Sequence, residues 1–185
     1  MVIKDIYEQY SIPPILQKHM YSVAALGQLI ANAVKKSRSD VDVDEVVQGL
    51  LVHDMGNIVK FDLTKNDFFT HEELPHWQAL QKEYIEKYSA NDHEATLNIL
   101  KELGVKKNII NLIAYTSSTE TALAMLEKDI NFAIMFYADF RVGPNGLLSL
   151  DARIDDLLVR YKNRTEHYWS NKERAEKMRD VMKEY

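Results

Sequence analysis

Residues 50–57 read LLVHDMGN, a His-Asp pair between apolar residues and a glycine. The apolar residues before it recur at the spacing of one helix face, which predicts a helix that begins near Asp42. Gly56 is typical of the position just beyond a helix end. The sequence therefore predicts that His53 and Asp54 lie where this helix ends, so that their side chains can converge on one point.

Two further polar residues occur in apolar surroundings. A helix is expected to begin at Pro13 and Pro14 and to run to about Lys36, and His19 lies beside its apolar stripe. Residues 130–138 are apolar nearly throughout, which predicts a helix at the centre of a bundle. Asp139 ends this apolar run. A buried carboxylate must be protonated, paired or bound to a cation, and a metal ion would satisfy it.

The rest of the sequence predicts an all-α, single-domain helical bundle. Glycine and proline are scarce, with 6 and 4 residues, and no alternating strand pattern stands out. Residues 57–75 show no clear period and are expected to form a surface loop or short irregular helices. Further helices are expected from an N-cap at Ser89 to a C-cap at Gly104 and over residues 109–114, 121–126, 151–161 and 171–184, with a turn at 143–146.

Composition excludes several classes of protein. The chain is 46% hydrophobic and 28% charged, as expected of a folded domain, and its net charge of -5 disfavours binding to duplex nucleic acid. It has no cysteine, so a metal would be bound by histidine, carboxylate or water. The N-terminus lacks the apolar core of a signal peptide, and no apolar run is long enough to span a bilayer. We therefore expect a cytoplasmic protein without membrane contact.

Two imidazoles and two carboxylates form a mixed nitrogen and oxygen set that suits Mn, Fe, Zn, Co or Ni. The candidate ligands are His19, His53, Asp54 and Asp139. A buried salt-bridge or helix-capping network is the alternative explanation of the same residues.

The order of these residues resembles the HD-domain superfamily of metal-dependent phosphohydrolases, which is an all-α fold. LLVHDMGN is similar to the family's LLHDIGK-type block, and residues 91–105, NDHEATLNILKELGV, resemble the block that follows. Residues 137–161, YADFRVGPNGLLSLDARIDDLLVRY, resemble the final block around the metal aspartate. Together these blocks cover most of residues 16–161.

The resemblance implies a single HD-type domain over residues 1–185, with its core at about 16–161 and a C-terminal helix at about 171–184. It makes four residues the ligands of one divalent metal ion, which could be Mn, Fe, Zn, Co, Ni or Mg: His19, His53, Asp54 and Asp139. His93 corresponds to an additional histidine of two-metal members. The paired histidines of cyclic-dinucleotide phosphodiesterases are absent from residues 114–119, which read AYTSST, and no GYP motif follows. Asn57 stands where relatives often carry lysine or glutamate.

The resemblance implies an enzyme that hydrolyses a phosphate ester of a nucleotide or another small phosphorylated metabolite. Asp54 would bind metal and accept a proton from water, and Lys60 and Arg141 would contact the phosphate. For His93 three roles stay open, namely second-metal ligand, phosphate contact and bystander, and we expect a mononuclear site that His93 faces.

The competing prediction is a non-catalytic HD-type module that binds metal or nucleotide and acts in regulation. His71, His76 and His167 are expected in loops or on the surface. The aromatic-rich stretch at 66–77, NDFFTHEELPHW, is expected to pack on the bundle, with closure over a substrate as the alternative. The sequence leaves the oligomeric state open.

Overall fold

The computed structural model describes residues 2–64, 69–143, 146–163 and 171–183. The chain is all-α, as predicted. Its helices are α1 Ile3–Gln9, α2 Pro14–Val34, α3 Val43–Leu50, α4 Leu74–Lys87, α5 Asp92–Glu102, α6 Lys107–Ala114, α7 Thr119–Leu126, α8 Ile130–Arg141, α9 Leu150–Tyr161 and α10 Lys172–Lys183. Short 3-10 helices occur at Asn57–Lys60 and Tyr115–Ser117, and β1 Val142–Gly143 pairs antiparallel with β2 Gly146–Leu147.

Helices α2, α3 and α8 pack against one another and form the centre of the bundle. Helix α8 is buried along most of its length, which confirms the prediction from its apolar sequence. Helix α3 buries Val46 and Leu50, and α2 buries Met20 and Val23, so that apolar stripes at helical spacing meet in one core. The residues of the site described below therefore lie on one of these packed helices or in the turn that follows α3.

Several element boundaries differ from the sequence-based expectation. Helix α3 ends at Leu50, before the His53–Asp54 pair, and α8 continues past Asp139 to Arg141. The N-cap of α5 is Asn91, whose side chain accepts a hydrogen bond from the Glu94 backbone. Gly104 follows α5 with a φ of 70°, as suits the residue after a helix.

Helices α1 and α4 were missed by the sequence analysis. Helix α4 lies largely on the surface, and the side chains that it buries are Trp77 and Tyr84. Two predicted features lie partly outside the described residues, namely the centre of the turn at 143–146 and the end of the last helix at Glu184. No helix within the described ranges is both long and apolar enough to cross a membrane.

Candidate metal centre

The structure brings the four predicted ligands together at one point. His19 extends from α2, Asp139 from α8, and the His53–Asp54 pair from the turn after α3. Asp139 Oδ1 lies 3.1 Å from His19 Nε2 and 3.3 Å from His53 Nε2. Asp54 Oδ2 lies 3.6 Å and 3.7 Å from the same two nitrogens. One ligand atom each from His19, His53 and Asp54 lies within 4.8 Å of the other two, a spacing at which one ion can contact all three.

The backbone fixes the orientation of the His53 imidazole. His53 Nδ1 lies 2.7 Å from the Leu50 carbonyl oxygen, which can only accept a hydrogen bond. Nδ1 therefore carries a proton, and in the neutral ring Nε2 presents a lone pair. That lone pair faces Asp139 Oδ1, another electron-rich atom, so a proton or a metal ion is needed between them. A hydrogen bond from the remote ring nitrogen to a carbonyl is the usual support of a metal-binding histidine.

The charges of the cluster favour a cation at this point. Burial opposes protonation of His53, but the negative charges of Asp54 and Asp139 outweigh it and raise its pKa to about 9. Burial raises the pKa of Asp139, but the neighbouring His53 and His19 lower it more and hold this pKa below the ordinary value. Asp139 is therefore ionised at neutral pH. These residues fit a divalent cation, because they supply two imidazole nitrogens and two carboxylates. His19, His53 and Asp54 lie close enough to contact one ion, and Asp139 lies beside the two imidazoles.

Asp139 is less buried than the sequence suggests. The backbone of α8 lies in the core, but the Asp139 side chain is 46% exposed. The reason is that the carboxylate faces a cavity of about 450 Å³ beside the metal centre. The prediction that Asp139 is a buried carboxylate in need of a metal was therefore wrong, and the case for a metal rests on the positions of the two imidazoles.

Lys60 and His93 line the same cavity, and the polar lining residues that the sequence analysis did not select include Asn57, Asp92 and Thr96. Lys60 Nζ lies 2.7 Å from Asp92 Oδ2. Burial opposes the charge on Lys60, but Asp54 and Asp92 outweigh it and raise the pKa of the ammonium group, which is therefore charged at neutral pH. The structure thus places one cation beside the metal centre.

His93 is partly buried at the first turn of α5. Burial lowers the pKa of its imidazole, which favours the neutral ring at neutral pH. Its Nε2 atom is inaccessible to solvent and has no hydrogen-bond partner in the part of the chain that the structure describes. His93 therefore lines the cavity, but its Nε2 atom is enclosed by the protein and does not open onto the cavity.

The structure does not bring Arg141 to the cavity. Its Nε donates to the Leu148 carbonyl oxygen at 2.6 Å, and its Nη1 donates to the Tyr137 hydroxyl at 2.5 Å. Arg153 of α9 lines the cavity instead. No sequence signal distinguishes the two arginines, because their positions depend on how α9 folds back on α8.

Of the other histidines, His71 and His76 are exposed, as expected, and His167 lies outside the described residues. In the aromatic-rich stretch, Phe69 stacks on Trp77 with ring centroids 4.8 Å apart. Trp77 is buried, which supports packing for this part of the stretch. Residues 66–68 lie outside the described residues.

Asn57 is a polar residue of the site that the sequence left without a role. It is only 5% exposed, and it lines the cavity. Its position three residues after Asp54 in the LLVHDMGN stretch is the signal by which it could have been selected. A buried carboxamide at a cavity wall offers a neutral hydrogen-bond donor and acceptor to a ligand.

The 3-10 turn Asn57–Lys60 is held on two sides. The Gly56 backbone N–H, just before the turn, donates to Thr96 Oγ1 of α5 at 2.9 Å. From α4, Gln81 Nε2 donates to the carbonyl oxygens of Ile58 at 2.8 Å and Phe61 at 2.9 Å. Residues three apart in a 3-10 helix lie on the same side, so Asn57 and Lys60 face the cavity together. The turn is therefore preorganised by neighbouring helices.

Comparison with known families agrees with this arrangement. A family model described as HD domain matches residues 16–169, which is most of the chain, so the protein belongs to the HD-domain family. No curated protein and no solved structure matches the chain. The family assignment covers the fold and the residues of the cluster, and it does not identify a substrate.

Proposed function

We propose that the protein is a metal-dependent phosphohydrolase that cleaves a phosphate ester of a small metabolite. The observation that carries this proposal is the convergence of four side chains, those of His19, His53, Asp54 and Asp139. The Leu50 carbonyl accepts a hydrogen bond from His53 Nδ1, so that His53 Nε2 faces the other ligands. One divalent ion, which could be Mn, Fe, Zn, Co, Ni or Mg, would be held there. When bound, such an ion polarises a phosphoryl oxygen and lowers the pKa of water.

The residues around this position supply the remaining steps. Asp54 is placed to accept a proton from the attacking water, since its carboxylate lies at the metal centre and faces the cavity. Lys60 offsets the negative charge of the phosphoryl group. His93 borders the cavity and would contact the phosphoryl group or the leaving oxygen there. Asn57 offers a neutral hydrogen bond from the same side as Lys60.

The test combines metal analysis with a screen of phosphate esters. Asp54→Ala and Asp139→Asn should each lose bound metal and phosphatase activity while they keep the helical circular dichroism signal. Asp44→Ala is the matched control, because Asp44 is exposed on α3, outside the cluster. A purified chain that retains no divalent metal and gains no thermal stability from added Mn, Co, Ni or Zn would contradict the proposal.

A non-catalytic metal-binding or nucleotide-binding module is the second candidate. The observation that favours it is the neutral side chain of Asn57, which offers no proton donor of ordinary acidity beside the metal centre. Bound metal without turnover of any phosphate ester would support this function, whereas turnover that is lost in Asp54→Ala would support the hydrolase.

A further inference from the structure

We infer that the substrate is a phosphate monoester whose organic part is uncharged and presents an apolar ring or chain, and that polyphosphates are not substrates. This inference rests on the proposed hydrolase function and narrows its substrate class. Two features of the cavity carry it, the balance of its charged groups and the apolar side chains that share its lining.

The charged groups of the cavity are nearly balanced before any substrate binds. In the described part of the chain, Lys60 and Arg153 are the lysine and arginine residues that line the cavity. Lys60 is already paired with Asp92 at 2.7 Å. Arg153 is only 14% exposed, and it is paired with Asp156 at 2.7 Å. Neither cation is therefore available without a competing carboxylate.

The two carboxylates at the metal centre, Asp54 and Asp139, offset the charge of a divalent ion. With Lys60 and Arg153 also paired, the charges of the cavity balance. A monoester adds the charge of a single phosphoryl group to this cavity, but a chain of phosphates adds more charge and needs further cations or a row of backbone N–H groups. Such sites rely on several arginine or lysine side chains or on a glycine-rich loop. The described cavity wall has neither feature.

Apolar side chains of α8, α9 and α10 form another part of the cavity wall. Phe136 and Phe140 of α8 line it, and their rings stack with centroids 6.4 Å apart. Leu157 and Tyr161 of α9 and Met178 of α10 complete this wall. A substrate gains affinity here by removing apolar surface from water, and a charged organic group would lose its hydration without gaining a partner.

The size of the cavity agrees with a substrate that contacts both the charged and the apolar residues of its lining. Its volume of about 450 Å³ lies within the range of sites for small organic ligands. Ser117 and Ser118 border it and provide uncharged hydrogen-bonding groups. The organic part of the substrate is thus expected to be neutral, with an apolar face toward α8 and α9.

The experiment compares esters on the metal-loaded chain. Phenyl phosphate should be hydrolysed with a KM about tenfold lower than that of glycerol phosphate. Inorganic tripolyphosphate, supplied with equimolar Mg²⁺ so that it does not strip the site, should not be hydrolysed. Phe136→Ala should raise the KM for phenyl phosphate about tenfold and leave that for glycerol phosphate nearly unchanged. Val159→Ala, at an exposed position of α9, is the control and should change neither value.

Binding of two inert phosphonates, measured by calorimetry, separates this inference from the proposed function. Phenylphosphonate should bind about tenfold more tightly than methylphosphonate whether or not any ester is cleaved. Equal binding of the two, or efficient hydrolysis of tripolyphosphate, would overturn the inference and leave the hydrolase proposal intact. Absence of turnover together with preferential binding of phenylphosphonate would overturn the proposed function alone. If Phe136→Ala does not fold, Phe136→Leu and the wild-type comparison decide the question.

Discussion

The Gly56 backbone N–H donates to Thr96 Oγ1 at 2.9 Å, and this contact joins the turn after α3 to helix α5. The turn that carries Gly56 also carries His53 and Asp54, while Thr96 lies on α5, which carries His93. The metal centre and the side of the cavity that α5 forms are therefore joined by one close approach of backbone to helix.

Gly56→Ala should disrupt this approach. An added Cβ would contact the Thr96 backbone nitrogen and would lie 2.8 Å from the Asp92 carbonyl oxygen, and backbone atoms cannot move aside cheaply. We expect a loss of about 1–3 kcal/mol in the free energy of unfolding. Urea denaturation measures this loss, and a metal titration measures the accompanying fall in metal affinity.

Gly104→Ala is the control for this variant. Its φ of 70° makes alanine strained there, but no atom lies within 4 Å of the added Cβ. It should cost about 1–2 kcal/mol of stability and leave metal affinity unchanged. Equal effects of the two variants on metal affinity would contradict the role of Gly56.

Lys60→Met should lower kcat/KM for a phosphate ester by about a hundredfold and leave bound metal unchanged, because it removes the cation beside the metal centre. Lys87→Met is a matched control. Lys60 and Lys87 are both 51% exposed and each pairs with one carboxylate, but Lys87 pairs with Glu102 away from the cavity. Steady-state kinetics and metal analysis of both variants test this prediction. Similar kinetics of the two variants would leave Lys60 as a surface charge.

His93→Ala should keep the metal and lower turnover by about 10²-fold, since His93 faces the cavity and the described residues include no other histidine beside it that could hold a second ion. The stoichiometry of metal binding in wild type and variant, measured by elemental analysis, tests the mononuclear site. A wild-type chain with two ions, one of which is lost in His93→Ala, would show that His93 is a metal ligand. Unchanged turnover would make it a bystander.

Stability should fall above about pH 10, the pKa of tyrosine in an unfolded chain. Burial raises the pKa of Tyr7 and of Tyr84 far above that value. Over this range the unfolded chain releases protons that the folded chain retains, so the free energy of unfolding decreases as pH rises. Unfolding in urea across this range, followed with tyrosinate absorbance, measures the effect.

Tyr84→Phe tests the contribution of one of these tyrosines. The Tyr84 hydroxyl donates to the buried Tyr10 carbonyl, so the variant should lose about 1–3 kcal/mol at neutral pH. Its stability should then fall less steeply with alkaline pH than that of the wild type. A slope equal to that of the wild type would show that Tyr84 ionises normally in the folded chain.

The sequence predicted the helices whose apolar residues follow a clear helical pattern. Helix α8 is apolar around its circumference, and α2 and α3 carry apolar stripes, so their helices and the residues at the metal centre followed from pattern and resemblance. Helix α4 was missed because its surface is mostly polar, and burial of Trp77 and Tyr84 alone gives a weak period. The exposure of Asp139 and the position of Arg153 depend on how helices pack around the cavity, which no single stretch of sequence encodes.

The hydrogen bonds of Gln81 also link the local unfolding of α4 to that of the Asn57–Lys60 turn. Its side-chain amide satisfies two carbonyl groups of the Asn57–Lys60 turn from a helix that is distant in sequence. Local unfolding of α4 would remove this donor, and of the two carbonyls that of Ile58 would keep only the bond from the Phe61 backbone N–H, so the turn would lose order in the same event. The amide hydrogens of α4 and of the turn should therefore exchange with solvent as one cooperative unit, and a surface helix with few buried residues would set the lifetime of the assembled metal centre.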